Sequence, residues 1–240
     1  MARTSTTVNS SHVLLVEGEG DRGFFDQVCR SLALNPAIKV APPKDYQADY
    51  EEQLWNSKQG VLNLLDDLLN ELLDEVAPTQ RLAIIIDADY EREQGLGYEK
   101  TIQQVNKIAE DYGFSLAENQ THGLCFKHSD GLAEFGLWVM PNNQTDGMLE
   151  DFIKTCVSTN EQSLFDHATQ AVQAVPEPKK FKPHHYSKAQ VATWLAWQKK
   201  PGHGLYYSVK DNLLDTNHAL FQELEQWLKK IFHLNSSNQP

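Results

Sequence analysis

The chain has few cysteines and no apolar segment long enough to cross a membrane. Its three cysteines, Cys29, Cys125 and Cys156, are far apart in the sequence. An odd number of widely spaced cysteines is typical of a reducing compartment and excludes a cysteine-based zinc site. No apolar run approaches the ~20 residues that a membrane helix needs. The polar start MARTSTTVNSS lacks the apolar core of a signal peptide. We therefore expect a cytoplasmic protein that has no membrane partner.

The chain is also poor in basic residues, and those that it has are unevenly distributed. Its 21 Lys and Arg stand against 33 Asp and Glu, a net charge of −12 that argues against a nucleic-acid partner. Residues 179–210, which we call the basic segment, nevertheless contain seven lysines and no acidic residue. This segregation favours phosphate contacts, and the predicted nucleic-acid-binding residues are Lys179, Lys180, Lys182, Lys199 and Lys200.

The aromatic residues of the basic segment have a simpler interpretation. Trp194 lies at helical spacing from Val191 and Leu195, which favours burial in a core over stacking on bases. The histidines at 184, 185 and 203 do not match the spacing of a standard zinc site. We expect these histidines to be polar surface or phosphate-facing residues.

Apolar patterns predict strands that alternate with helices in the first two thirds of the chain. The predicted strands are 12–18, 82–86 and 135–141, with a weaker one at 38–40, and the clearest helices are 59–76 and 98–112. Further helices are predicted near 160–174, 187–198 and 217–233. Such alternation is typical of an α/β fold with a parallel sheet wrapped by helices. The predicted division is a disordered tail at 1–10, an α/β domain at 11–157, a helical extension with the basic segment at 158–234, and a second tail at 235–240.

Acidic side chains follow three of the predicted strands. They are Glu17 and Asp21 after the first strand, Asp87 and Asp89 after the strand at 82–86, and Asp146, Glu150 and Asp151 after the strand at 135–141. Ligands of open parallel sheets bind beyond the carboxyl ends of the strands. Because Mg²⁺ prefers oxygen ligands, these acids together favour a site for a divalent cation.

Each acid also has a structural alternative. Asp87 or Asp89 alone could cap the segment that follows the strand, and Asp21 could be an acid in the first turn of its helix. Glu150 and Asp151 could form a solvated helix face. The metal hypothesis therefore depends on the acids acting together.

Two short motifs resemble the Toprim domain. The segment LLVEGEGD at 14–21 is followed about seventy residues later by IIIDADY at 84–90. The Toprim fold is shared by bacterial primases, type IA and II topoisomerases, small ribosomal-RNA maturases and the nucleases named for overcoming lysogenization defect. Its glutamate and D-x-D motif correspond to Glu17, Asp87 and Asp89, and Asp21 is similar to an acid of the nuclease branch. The resemblance covers roughly residues 12–157.

The whole chain resembles stand-alone bacterial Toprim-like proteins related to those nucleases, through WVMPNNQTDGMLEDF at 138–152 and YSKAQVATWLAWQKKPG at 186–202. The resemblance implies a Toprim-like (Rossmann-like) parallel sheet with a C-terminal helical extension. It implies Mg²⁺ or Mn²⁺ held by Glu17, Asp21, Asp87 and Asp89, and the acids that follow the third strand add Glu150 and Asp151 as predicted ligands. Glu17 would be a catalytic acid/base or ligand, and Lys188 resembles the lysine that nuclease relatives place opposite their metals.

The predicted function is divalent-metal-dependent phosphoryl transfer by a nuclease or phosphodiesterase that acts on DNA or RNA. We expect neither primase nor topoisomerase activity, because no Walker A motif is present and no separate domain could supply a nucleophilic tyrosine. The alternative is a non-catalytic, metal-binding Toprim module that acts as a binding or regulatory subunit. The acidic net charge favours that alternative, whereas the basic segment favours the enzyme. A homo-oligomer or a partner protein remains open.

Overall fold

The computed structural model of the protein describes residues 9–40, 57–93, 95–117 and 122–233. In chain order the helices and strands are β1 (Asn9–Val16), α1 (Glu19–Ser31), β2 (Pro36–Val40), α2 (Ser57–Leu73), β3 (Arg81–Asp87), α3 (Gly97–Asp111), β4 (Phe114–Leu116), β5 (Leu124–His128), β6 (Glu134–Met140), α4 (Leu149–Thr155), α5 (Thr159–Gln173), α6 (Tyr186–Ala196), α7 (Tyr206–Lys210) and α8 (Ala219–His233). Short 3-10 helices lie at Glu91–Glu93 and Pro183–His185.

Six strands form one sheet in the order β2-β1-β3-β6-β5-β4. The pairs β1–β2, β1–β3 and β3–β6 are parallel, whereas β5 pairs antiparallel with both β6 and β4. Helices flank this mostly parallel sheet, so the predicted α/β class is confirmed, and the arrangement is consistent with a Rossmann-like fold. The antiparallel edge, β4 and β5, was not predicted.

The run 82–86 of β3 is apolar throughout because both faces of the sheet are covered. On β3, Leu82, Ile84 and Ile86 belong to a core with α2 and α3. Ala83 and Ile85 point to the other face and belong to a core with α1, α4, α5, α6 and α8. Alternate residues of one strand therefore enter different cores, which is why the run 82–86 has no polar member.

The C-terminal helices share this second core with the sheet. Trp227 of α8 lies 5.6 Å from Trp138 of β6 between ring centroids, and its indole N–H donates to the carbonyl of Leu124 at 3.2 Å. A Cβ at Gly136 would lie 2.6 Å from Ile231, so the glycine lets α8 approach the sheet closely. Trp194 is fully buried in the same core, as its helical spacing predicted.

The predicted tails at 1–10 and 235–240 are almost entirely outside the described residues. Residues 1–8 and 234–240, which include most of the predicted tails, lie outside the described residues, and residues 9 and 10 belong to β1. The division between an α/β domain and a helical extension remains a prediction. Among the helices of the described ranges, none is both long enough and apolar enough to span a bilayer.

A candidate site at the carboxyl ends of the parallel strands

Glu17 and Asp87 meet where β1 and β3 end. The two strands are parallel neighbours, so their carboxyl ends lie at the same edge of the sheet. The Glu17 carboxylate accepts a hydrogen bond from the backbone N–H of Asp87 at 2.8 Å. The Asp87 carboxylate in turn accepts one from the backbone N–H of Leu149, the first residue of α4, at 2.9 Å. Backbone amides thus hold both acids at this edge.

Two helix starts and one lysine complete the arrangement. Asp21 lies in the first turn of α1, where the backbone N–H groups of Gly18 and of Asp21 itself donate to its carboxylate. Glu150 lies in the first turn of α4 and is 7% exposed. Lys188 of α6 donates to the two carboxylate oxygens of Glu150 at 3.3 Å and 3.2 Å. We call Glu17, Asp21, Asp87 and Glu150 the acidic cluster.

The members of the acidic cluster repel one another. Burial, followed by the charges of Glu17, Asp21 and Glu150, raises the pKa of Asp87 well above its ordinary value. Burial and the charge of Glu150 raise the pKa of Asp21 to about 6. Burial works against the charged form of Lys188, but Glu150 and Asp87 outweigh it and raise the pKa of the lysine. Asp21 and Asp87 therefore hold their protons to a higher pH than an isolated aspartate does, and the charge of Lys188 does not offset this effect.

Asp89 makes its contacts elsewhere, although only one residue separates it from Asp87. Its φ of 60° is left-handed, and its backbone exchanges two hydrogen bonds with Gly147, at 2.8 Å and 3.0 Å. Its carboxylate forms an ion pair of 2.6 Å with Lys58 of α2, a lysine that is 6% exposed. Lys58 also donates to the carbonyl of Ala88 at 3.0 Å. This pair ties the end of β3 to α2.

Asp151 belongs to a separate hydrogen-bond network next to the acidic cluster. Its carboxylate accepts from the hydroxyl of Tyr90 and, at 2.6 Å, from the hydroxyl of Ser187. Burial and the hydrogen bond with Asp151 raise the pKa of Tyr90. Asp151 and Ser187 each adjoin, in the sequence, one member of the Glu150–Lys188 ion pair. The network therefore fixes α4 and α6 relative to each other where that pair forms.

Asp146 has a structural role in the loop after β6. Its carboxylate accepts from the backbone N–H of Tyr98 at 2.8 Å and from that of Glu91 at 3.1 Å. It thereby fastens the loop after β6 to the segment between β3 and α3. Its carboxylate is not among the charges that raise the pKa values of Asp87 and Asp21.

Apart from Lys188, which belongs to α6, the predicted site lysines lie before and after that helix. Lys179, which pairs with Glu177 at 2.5 Å, comes before the helix, as do the exposed Lys180 and Lys182. Lys199 and Lys200 are exposed beyond its carboxyl end. A helix of 11 residues such as α6 is about 16 Å long. Of the predicted site lysines, only Lys188 contacts the acidic cluster, and the other five lie outside it.

Two adjoining clefts open beside this edge of the sheet. The larger has a volume of about 500 Å³ and lies between the segment after β3, with Tyr90 and Arg92, and the segment before α6, with His184 and Tyr186. The smaller, of about 280 Å³, shares Tyr90 and His184 and reaches Asp89. The clefts provide room for a ligand beside Tyr90, and none of the acidic-cluster residues lines them.

Three residues of this region, Lys58, Tyr90 and Ser187, were not predicted from the sequence. Lys58 could have been noticed in the sequence, because it is the one basic residue of an otherwise apolar and acidic helix. A lysine that is buried in such a helix needs a charged partner. Tyr90 and Ser187 stand in the quoted motifs, next to D-x-D and to Lys188, but nothing in their spacing indicates that they share Asp151.

The side chains of the acidic cluster are not arranged as a ready metal site. Within the ranges that the structure describes, no group of three or more His, Cys, Asp or Glu side chains is placed to hold a metal ion. Glu17 instead contacts the amide of Asp87, and Glu150 contacts Lys188. A cation would therefore have to compete with Lys188 for Glu150.

A family model matches residues 11–233, and that family is described as a protein of unknown function, DUF3226. The chain belongs to this family. The match covers β3 with Asp87 as well as α6 with Lys188, so the acidic cluster and its lysine lie within one family unit. Comparison with curated proteins and comparison with solved structures give no match.

Proposed function

We propose that the protein is a divalent-metal-dependent phosphoryl-transfer enzyme, a nuclease or phosphodiesterase that acts on nucleic acid. The observation that carries this proposal is the acidic cluster, in which two buried and two partly buried carboxylates from two strand ends and two helix starts meet one lysine. Acids whose pKa values are raised by burial and mutual repulsion are more typical of functional sites than of solvated surfaces. A Toprim-like relationship would account for the same acids.

The acidic cluster fits Mg²⁺ or Mn²⁺ in its chemistry. All of its side-chain ligands are oxygens, which hard cations prefer, and burial together with the neighbouring carboxylates raises the pKa values of Asp21 and Asp87. In this proposal the four members of the acidic cluster hold the ion: Glu17, Asp21, Asp87 and Glu150. Asp89 and Asp151 remain predicted ligands. Without the ion, Asp89 pairs with Lys58 and Asp151 accepts a hydrogen bond from Tyr90. A bound ion would neutralise phosphate charge and polarise the attacking water.

The residues of the chain have distinct roles in this proposal. Glu17, whose carboxylate is held beside Asp87 by a backbone hydrogen bond, is a ligand of the ion or the acid/base that accepts the proton of the attacking water. Lys188 balances Glu150 in the free protein and stabilises the charge that develops on the phosphate in the transition state. The side chain of Lys188 is 45% exposed, so it is accessible to a substrate.

A cleavage assay tests the proposal. Labelled DNA and RNA, each single- and double-stranded, are incubated with the protein in Mg²⁺, in Mn²⁺ and in EDTA. We expect cleavage only with metal, and Asp87→Asn should reduce it by at least about 100-fold. The matched control is Asp26→Asn, which removes an acid of α1 that pairs with Arg30 outside the cluster. Full activity of Asp87→Asn, or equal activity in EDTA, would refute the proposal.

One observation favours a second candidate function, that of a non-catalytic metal-binding module in a larger assembly. Lys58 and Lys188 already pair with Asp89 and Glu150, so part of the acidic charge is balanced without a substrate. Stabilisation by metal without cleavage of any nucleic acid would support this second candidate over the enzyme.

A further inference from the structure

The larger cleft beside the acidic cluster is bounded by aromatic rings. Tyr90 and Tyr186 both line it, and both are partly buried, so part of each side chain is accessible. Tyr186 is supported by Phe181, with ring centroids 5.9 Å apart. Tyr90 is held by its hydroxyl, which contacts Asp151 and Ser187. Rings that are fixed before binding can stack on a flat ligand at little entropic cost.

The charges that line the cleft are mixed. Arg92 and His184 contribute basic groups, and Glu93 and Asp146 contribute acidic ones. The Asp146 carboxylate is already committed to two backbone N–H groups. A cleft of this composition does not select a phosphate, because its acids oppose an anion. It suits a planar, polar and uncharged group that stacks and forms hydrogen bonds.

Tyr90 connects the cleft to the acidic cluster. Its ring lines both clefts, and its hydroxyl bonds to Asp151 and Ser187, which adjoin Glu150 and Lys188 in the sequence. The cleft is therefore joined to α4 and α6, which carry Glu150 and Lys188, through the hydroxyl of Tyr90.

We propose that the cleft binds an unpaired nucleobase, so that the protein selects single-stranded nucleic acid and places the adjacent phosphate at Lys188. This inference rests on the proposed function, because it assigns the base-binding part of the same site. A base within a duplex is stacked and paired and would have to be extruded to enter the cleft, whereas a single strand presents it directly. DNA and RNA share this base chemistry.

The test is binding in EDTA, where no metal-dependent cleavage occurs. Fluorescein-labelled oligothymidylate and oligouridylate are titrated with the protein, and anisotropy reports binding. The comparison probes are a duplex and an abasic strand of equal length. Stacking of one base is worth ~1–3 kcal/mol, so the abasic strand should bind about tenfold more weakly than oligothymidylate. The duplex should also bind more weakly.

Variants then locate the contact. Tyr186→Ala should weaken the binding of oligothymidylate about tenfold but leave the binding of the abasic strand unchanged. Tyr186→Phe keeps the ring and should bind as the wild type does. The control is Trp197→Ala, which removes an exposed aromatic residue just beyond α6 and outside the cleft, and which should have no effect.

The inference is overturned if the abasic strand or the duplex binds as tightly as oligothymidylate, if the wild type binds no strand, or if Trp197→Ala rather than Tyr186→Ala lowers affinity. The abasic comparison uses the wild type, so it decides the matter even if Tyr186→Ala does not fold. Base-dependent binding without cleavage in Mg²⁺ or Mn²⁺ would refute the proposed enzymatic function but not the base-binding inference. Cleavage with base-independent binding would overturn only this inference. The relative affinity of oligouridylate and oligothymidylate separates RNA from DNA as the preferred source.

Discussion

Replacing Asp21 with asparagine should stabilise the metal-free protein at neutral pH. Asp21 is held among carboxylates, and burial together with Glu150 raises its pKa from 3.8 to about 6. Asparagine keeps a side-chain oxygen that can accept the backbone hydrogen bonds of Gly18 and of residue 21, but it carries no charge. The substitution thus removes the repulsion and retains most of the local contacts.

The size and the pH range of the effect follow from the two pKa values. The unfolded chain loses the Asp21 proton near pH 3.8, whereas the folded protein retains it to about pH 6. The free energy of unfolding of the wild type therefore falls between these pH values and is constant, for this group, above them. A difference of roughly two pKa units corresponds to about 3 kcal/mol, and because Asp21 is partly exposed we expect about 2 kcal/mol.

Chemical denaturation of the wild type and of Asp21→Asn in EDTA measures this effect. The variant should be more stable by about 2 kcal/mol at about pH 7.5, and the difference should vanish near pH 3.8. Asp26→Asn on the same helix, which loses an exposed ion pair, should change stability by less than about 1 kcal/mol at both pH values. If Asp21→Asn is destabilising at neutral pH, or if its effect does not depend on pH, the account of mutual repulsion is wrong.

The remaining predictions concern lysines. Lys188→Met removes the charge that competes with a cation for Glu150, so Mn²⁺ should bind more tightly in calorimetry while turnover slows. Weaker Mn²⁺ binding would contradict this. Lys58→Met leaves the Asp89 carboxylate without its ion-pair partner and removes one of the two hydrogen bonds to the Ala88 carbonyl, so the free energy of unfolding should drop by about 2 kcal/mol. An unchanged stability would show that the Lys58–Asp89 pair adds nothing. Changing Lys199 and Lys200 together to alanine should lower the slope of log affinity against log salt by about 1.5, and an unchanged slope would exclude both from the interface.

Much of the fold could be predicted because the central strands carry a strong local signal. The run 82–86 is apolar throughout, and the structure buries alternate residues of it in different cores. The edge strands could not be predicted in the same way. β4 has three residues and β5 has five, and each is placed by its strand neighbour, β5 by β6 and β4 by β5, rather than by an alternating pattern of its own.

The acids of the site also divide into those that a local sequence pattern places and those that depend on contacts with distant parts of the chain. Glu17 and Asp87 could be placed together because each stands at the end of a parallel strand. The separate contacts of Asp89 could not be predicted, because they depend on a left-handed backbone turn and on how α2 brings Lys58 to it. The approach of Lys188, 38 residues from Glu150, likewise depends on the docking of α6 and was indicated only by resemblance.

The most direct measurement of the central claim is the location of Mn²⁺ in a crystal of the protein. The ion is soaked in, and its anomalous scattering is mapped without assumptions about ligands. The account predicts a peak coordinated by Asp87 and Glu17, with Lys188 displaced from Glu150 toward solvent or substrate. A peak bound only elsewhere, or no peak at saturating Mn²⁺ with the Lys188–Glu150 pair intact, would contradict it.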